Sequence, residues 1–170
     1  YSNGIESTTG STPIGDATTE PSCTPTVTQI GTKYYYCVVT ATKESEKLTA
    51  TSDFAKVTVN GPTVTFTTQP QGAVYTRSDS ENAAALTVAA TTNFNGAVTY
   101  QWYSNTTGKI PETDADKAKE KISNATSADY IPSIKTVGKT YYYCIASSTY
   151  NSNDYTAVSD LVCVDVVTTL

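Results

Sequence analysis

Histidine and methionine are absent from this sequence, tryptophan occurs once, and charged side chains make up only 16% of it. Without histidine there is no imidazole for a Ser-His or Cys-His nucleophile pair, for a metal ligand, or for a charge switch near neutral pH. Basic side chains number 11 against 16 acidic ones, a formal net charge of -5. Such a surface offers phosphates no basic patch, which argues against nucleic acid and anionic lipid as partners. No run approaches the ~20 apolar residues that cross a bilayer, so no membrane insertion is expected. A Gly-rich phosphate loop, a Cys-x-x-Cys pair and a Ser-centred elbow are all missing. The chain therefore reads as a non-enzyme, with no cofactor and no metal.

What is abundant points to strands. Thr is the commonest residue, Val, Ser and Asn are frequent, and thirteen of the 170 residues are Tyr. β-branched and aromatic side chains suit a pleated, half-buried surface. The opening Tyr1-Ser2-Asn3-Gly4 carries neither an initiator Met nor a signal-peptide core, so the expectation is a soluble, already processed piece. Many hydroxyl and amide side chains, few charges and four Cys suit an extracellular, secreted or cell-wall-attached setting better than a cytosolic one.

The sequence also repeats itself. Gly31-Thr32-Lys33-Tyr34-Tyr35-Tyr36-Cys37 matches Gly138-Lys139-Thr140-Tyr141-Tyr142-Tyr143-Cys144 at a separation of 107 residues (144 − 37). Upstream, Tyr1-Ser2-Asn3 parallels Tyr103-Ser104-Asn105, and downstream Thr51-Ser52-Asp53 parallels Val158-Ser159-Asp160. Two full copies would need 214 residues (2 × 107), about 44 more than are present. The expected organisation is thus residues 1–60 as the back of a first domain and 61–167 as a complete second one. Asn60-Gly61-Pro62 is too short for a floppy tether, which predicts a rod of two units end to end.

In the complete copy, short alternating runs lie between turn signals. Val64–Thr67 reads as an edge strand ending at a Pro-marked kink. Ala84–Ala90 places Leu86, Val88 and Ala90 on one face. After the Asn95-Gly96 turn, Val98, Tyr100 and Trp102 alternate inward, with Thr99, Gln101 and Tyr103 outward. Asp114–Lys121 reads as a charged loop, Ser127–Ile134 as a strand, and Tyr141–Ser147 with Val158–Val166 as a last hairpin around a long loop, Ser148–Tyr155. That makes seven strands.

Gln101-Trp102-Tyr103, Gly138 with Tyr142-Tyr143-Cys144-Ile145-Ala146, and the Ser159-Asp160 exit into alternating Val together resemble a known family. They are similar to the immunoglobulin-like domains strung in tandem along cell-surface and secreted proteins of Gram-positive, clostridial-type bacteria. The resemblance implies an all-β, immunoglobulin-like antiparallel β-sandwich in tandem, the first copy lacking its N-terminal strands. It also implies that Trp102 fills the core and that Tyr142 forms the tyrosine corner. The antibody-type partner of the strand-F Cys is replaced by Val88, a core position. The four Cys leave two readings open: disulfides Cys23–Cys37 and Cys144–Cys163, or free buried thiols acting as small apolar groups.

On the surface, Glu112, Asp114, Asp116 and Glu120 have oxygens for calcium but alternate with Lys117, Lys119 and Lys121, and read as a solvated charged segment. Tyr103, Tyr141 and Tyr143 are expected outward on one sheet, with Tyr150 and Tyr155 in the adjoining loop and Tyr34 and Tyr36 in the first copy. Tyr offers ring faces and hydroxyls suited to a glycan or a host protein, although Tyr also simply favours strands. The incomplete first copy would expose the inner face of its sheet. A cleavage after a preceding Trp, strands from another copy of the chain, or partial disorder would each account for it. The expected role is a structural spacer, stalk or adhesion segment whose partners are neighbouring domains of the same polypeptide. A glycan-binding accessory module of a polysaccharide-degrading enzyme, and a fibre subunit completed by strand donation, are the alternatives.

Overall fold

The computed structural model describes residues 1–79 and 82–168. The chain is mostly β and divides into two compact units, Tyr1–Gly61 and Pro62–Leu170.

The first unit holds β1 (Ser2–Asn3), β2 (Gly31–Tyr35), β3 (Val38–Lys43), β4 (Glu46–Thr51) and β5 (Ala55–Val59). One sheet has the order β1-β2-β5, and β3 pairs with β4 alone. All pairs are antiparallel. Along the doublet from β2 to β5 the register slips by one residue, from Tyr35 opposite Ala55 to Val38 opposite Thr51. The extra residue makes a β-bulge. Ser52 stabilises it: its N–H donates to the Cys37 carbonyl at 2.9 Å, and its Oγ accepts from the Cys37 N–H at 2.9 Å.

The second unit adds β6 (Val64–Thr68), β7 (Ala73–Thr76), β8 (Leu86–Thr87), β9 (Ala89–Thr92), β10 (Thr99–Asn105), α1 (Asp114–Glu120), β11 (Asp129–Tyr130), β12 (Gly138–Tyr150), β13 (Asn153–Val158) and β14 (Val162–Val167). Its larger sheet runs β10-β12-β14-β7, with β13 also on β12. The pairs β6–β9 and β8–β11 form the facing layer, and one core joins the two. Trp102, Tyr142, Cys144, Val164 and Val166 of the large sheet pack with Leu86, Val88, Ala83 and Ile134, with Phe66 against them. Burying such side chains contributes about 1.5–3 kcal/mol each, which is why the period-2 pattern decides the faces.

Four local outcomes differ from the sequence expectation. β7 pairs with β14 in parallel, so the unit is not purely antiparallel. The chain switches layers at Gln69–Gly72, where Pro70 is fully buried. A Cβ on Gly72 would lie 2.4 Å from the Cys163 carbonyl oxygen, so only glycine permits that approach. Second, the stretch Ala84–Ala90 breaks at Val88 into β8 and β9, which pair with different strands. Third, Ser148–Tyr155 is not a loop: β12 and β13 continue to Tyr150 opposite Asn153. The two-residue turn Asn151-Ser152 has φ of 50° and 63°, the left-handed pair a tight hairpin needs. Fourth, Asp114–Glu120 is a helix. Thr113 caps it by accepting from the Asp116 N–H at 3.2 Å, and the Asp116 carboxylate accepts from the Thr113 hydroxyl at 2.7 Å. This is a side-chain N-cap that composition alone hid.

The bulge of the first unit recurs here. Ile145 lies opposite Val158 but Tyr142 opposite Val162. Ser159 N–H donates to the Cys144 carbonyl at 2.9 Å, and the Cys144 N–H donates to Ser159 Oγ at 2.8 Å. In both units the same serine hydroxyl then donates to the following Asp carbonyl, at 2.9 Å for Ser52 and 3.0 Å for Ser159.

Candidate functional site

The expected tyrosine face is built on β10 and β12. Tyr103 lies opposite Tyr143 and Asn105 opposite Tyr141, so the rings of Tyr103 and Tyr143 meet across the strands. They stack with centroids 5.0 Å apart and planes 10° apart. In the first unit Tyr1 stacks on Tyr36 in the same way, at 5.2 Å and 13°.

Tyr143, however, is 0% exposed, a correction to its assignment to an outward binding face. Its hydroxyl donates to Glu120 Oε2 at 3.0 Å, and Asn105 Nδ2 donates to the same oxygen at 3.0 Å. The last residue of α1 is thereby pinned to the sheet, and the helix end occupies the place where a ligand would stack. Burial, and then the Glu120 carboxylate, hold the Tyr143 phenol well above its ordinary range. Tyr103 is half-buried and raised in the same direction, chiefly by burial. Tyr141 is also half-buried and packs over Gly108, where a Cβ would come within 3.1 Å of its ring. The carboxylates considered for calcium are divided: Asp114 and Asp116 pair with Lys117 and Lys119 at 3.1 and 2.7 Å, and Glu120 faces Tyr143. Among the described residues no cluster of His, Cys, Asp or Glu is arranged to hold a metal ion.

A second aromatic group lies at the β12–β13 turn, and only part of it was expected. Phe94 sits 5.1 Å from Tyr150 and 6.0 Å from Tyr155, tilted by 49° and 60°. Tyr150 is 42% exposed and the other two rings are half-buried. The sequence reading missed Phe94. Its signal was an aromatic among Asn93, Asn95 and Gly96, where a turn needs none. Beneath it, Ser148 Oγ is buried without a partner among the described residues, and a Cβ on Gly96 would stand 2.5 Å from that oxygen. Elsewhere, a shallow cleft of about 290 Å³ is lined by Tyr130, Ile131, Pro132 and Lys135 among others.

The core markers lie together. Trp102 and Val88 are buried, and Tyr142 packs against Tyr130 with centroids 5.6 Å apart. All four cysteines are free thiols, a correction to the disulfide alternative. Cys163 stands opposite Tyr141, three residues along β12 from Cys144, an offset of about 10 Å on the sheet and beyond the ~7 Å a disulfide spans. The odd spacing also puts the two on opposite faces. Cys23 and Cys37 are exposed and unbridged.

Burial pushes the Cys144 thiol from 9.0 up to about 12. Tyr130, Tyr142 and Tyr143 are raised as well, with burial first among the causes. Groups whose folded-state pKa is raised contribute stability that is complete below the unfolded value and lost as pH climbs through the folded one. The melting temperature of the second unit should therefore be level from neutral pH to about 9 and fall steeply between about 9 and 12. Calorimetry across that range checks this, and a midpoint unchanged at pH 11 would refute it.

Compared with protein-family models, with curated proteins and with solved structures, the chain matches none. No helix among the described residues is long and apolar enough to cross a membrane.

Proposed function

We propose that the chain is a tandem of immunoglobulin-like modules from a secreted or wall-attached bacterial protein, and that its role is non-catalytic: spacing, presentation or adhesion. The observation that carries this reading is the duplication of one frame. Ser2 opposite Tyr35 and Ser104 opposite Tyr142, the stacked pairs Tyr1–Tyr36 and Tyr103–Tyr143, and the serine-clasped bulges at Cys37 and Cys144 correspond position by position. Repeating a module whose preserved features are packing and backbone bonds extends a structure rather than a reaction. The layered packing and the placing of Trp102 support the immunoglobulin-like assignment.

A second reading, glycan binding, is favoured by the exposed Tyr150 ring with Phe94 and Tyr155 at one end of the unit. A glycan array probed with the full chain separates the two. The structural role predicts no saturable binding. Binding that saturates and weakens at least about tenfold in Tyr150→Ala, the cost of one stacking platform, would replace it. Tyr143→Ala is unsuitable for this purpose because that ring is core.

A further inference from the structure

We propose that Asn95 is a self-modification site: its side-chain amide is lost to attack by the Gly96 nitrogen, and the product dismantles the aromatic group at the end of the β12–β13 hairpin. Nothing in this depends on the two units being copies of one module. Asn-Gly occurs three times, at Asn3, Asn60 and Asn95. A glycine carries no Cβ to shield its backbone nitrogen, so that nitrogen can reach the side-chain carbon of the preceding Asn and close a five-membered ring. The step is intramolecular, and its rate depends on how freely the two groups meet.

Asn3 and Asn95 differ in that freedom. Asn3 Nδ2 donates to the carbonyls of Ser7 and Thr9, both at 2.9 Å, and its Oδ1 accepts from the Gly4 N–H at 2.8 Å. Ring closure there must break all three bonds. Asn95 is exposed, and its side chain makes no hydrogen bond among the described residues. The turn is fastened beside it instead. Thr63 N–H donates to Asn93 Oδ1 at 2.8 Å, and the Asn93 N–H to the Thr63 carbonyl at 3.3 Å. The Phe94 carbonyl accepts from Thr92 Oγ1 and, at 2.9 Å, from the Gly96 N–H. Of these bonds, closure at Asn95 breaks only the last. No bulkier residue can stand at Gly96 to shield the nitrogen, because a Cβ there would overlap the Phe94 ring and Ser148 Oγ.

Water is the sole co-reactant. The Gly96 nitrogen gives its proton to hydroxide and bonds to Asn95 Cγ; the Cγ–Nδ2 bond breaks, and the amide leaves as ammonia after taking a proton from water. Water then opens the cyclic imide. Opening at the side-chain carbonyl gives aspartate, and opening at the main-chain carbonyl gives isoaspartate, with an additional methylene in the main chain. Either product carries a carboxylate and takes the net charge from -5 to -6 (-5 − 1). The lengthened backbone shifts Phe94 against Gly96, and Phe94 is the ring that packs on Tyr150 at 5.1 Å and on Tyr155 at 6.0 Å. The hairpin end then loses that support.

The test incubates the full chain at neutral pH and physiological temperature. Mass spectrometry of tryptic fragments reads the sites separately, with Asn3 in residues 1–33, Asn60 in 57–77 and Asn95 in 78–109. Asn95 should convert at least about tenfold faster than Asn3, the two additional hydrogen bonds at Asn3 setting the difference, and faster still as pH rises. Asn95→Gln, whose longer side chain would have to close a six-membered ring, should stay intact in the same incubation. In the converted chain the amides of residues 150–153 should exchange at least about threefold faster than in Asn95→Gln treated alike. Equal rates at Asn3 and Asn95 overturn the proposal. So does an intact Asn95 after a time in which a synthetic peptide of residues 90–100 has converted. Conversion that leaves exchange at residues 150–153 unchanged refutes it as well, because the aromatic group would then have survived.

Discussion

Trp102→Ala should unfold the second unit under conditions where the native chain is folded. The indole is 0% exposed. It lies opposite Cys144, packs at 6.0 Å from the Tyr130 ring, and donates its Nε1–H to the Ser127 carbonyl at 3.0 Å. Truncation removes the largest buried side chain and leaves a cavity between the two layers. Large-to-small changes of this kind cost about 3–5 kcal/mol. Domains of this size hold only about 5–15 kcal/mol in all. Near-ultraviolet circular dichroism and urea titration would report it. A midpoint within about 1 kcal/mol of the native chain would show that the core does not depend on this side chain. Trp102→Phe, which keeps an aromatic ring and loses the donor, should recover about half of the loss.

That dependence was readable in the sequence because one Trp stands in an alternating run, and alternation states which face is buried. The same rule put Leu86 and Val88 on one face, and both lie in the core. It failed for Tyr143. Alternation says only that Tyr143 faces away from Cys144, and an outward side chain is exposed only if nothing packs on the outer face. Helix α1 does pack there, through Glu120, and its sequence of Asp, Lys and Ala looked like solvent-facing charge. The Thr113 N-cap was a local signal for a helix start, but the docking by Tyr143 and Asn105 joins residues 23 and 15 positions away, which no local pattern carries. The hairpin was missed for a different reason. Asn151-Ser152 is not an Asn-Gly pair, and its positive φ values are supported by strand pairing on both sides. The cysteines show a third kind of gap: spacing offered a pair, whereas register decides whether two sulfur atoms can meet, and the bulge at Ser159 is part of that register.

Ser159→Ala and Ser52→Ala remove the same hydroxyl from the same bond in the two units, and should have very different effects. In each, the hydroxyl accepts from a cysteine N–H and donates to the next Asp carbonyl. Ser159 is buried and so is Cys144, and water cannot replace the lost partner of the Cys144 amide. An unsatisfied buried donor costs about 1–3 kcal/mol, against about 0.5–1.5 kcal/mol for a typical net hydrogen bond. Ser52 and Cys37 are exposed, so water takes over and Ser52→Ala should stay within about 0.5 kcal/mol. Urea denaturation with hydrogen exchange at the Cys37 and Cys144 amides gives both values in one experiment. Equal losses at the two sites would mean that the bulge geometry, rather than burial, sets the cost.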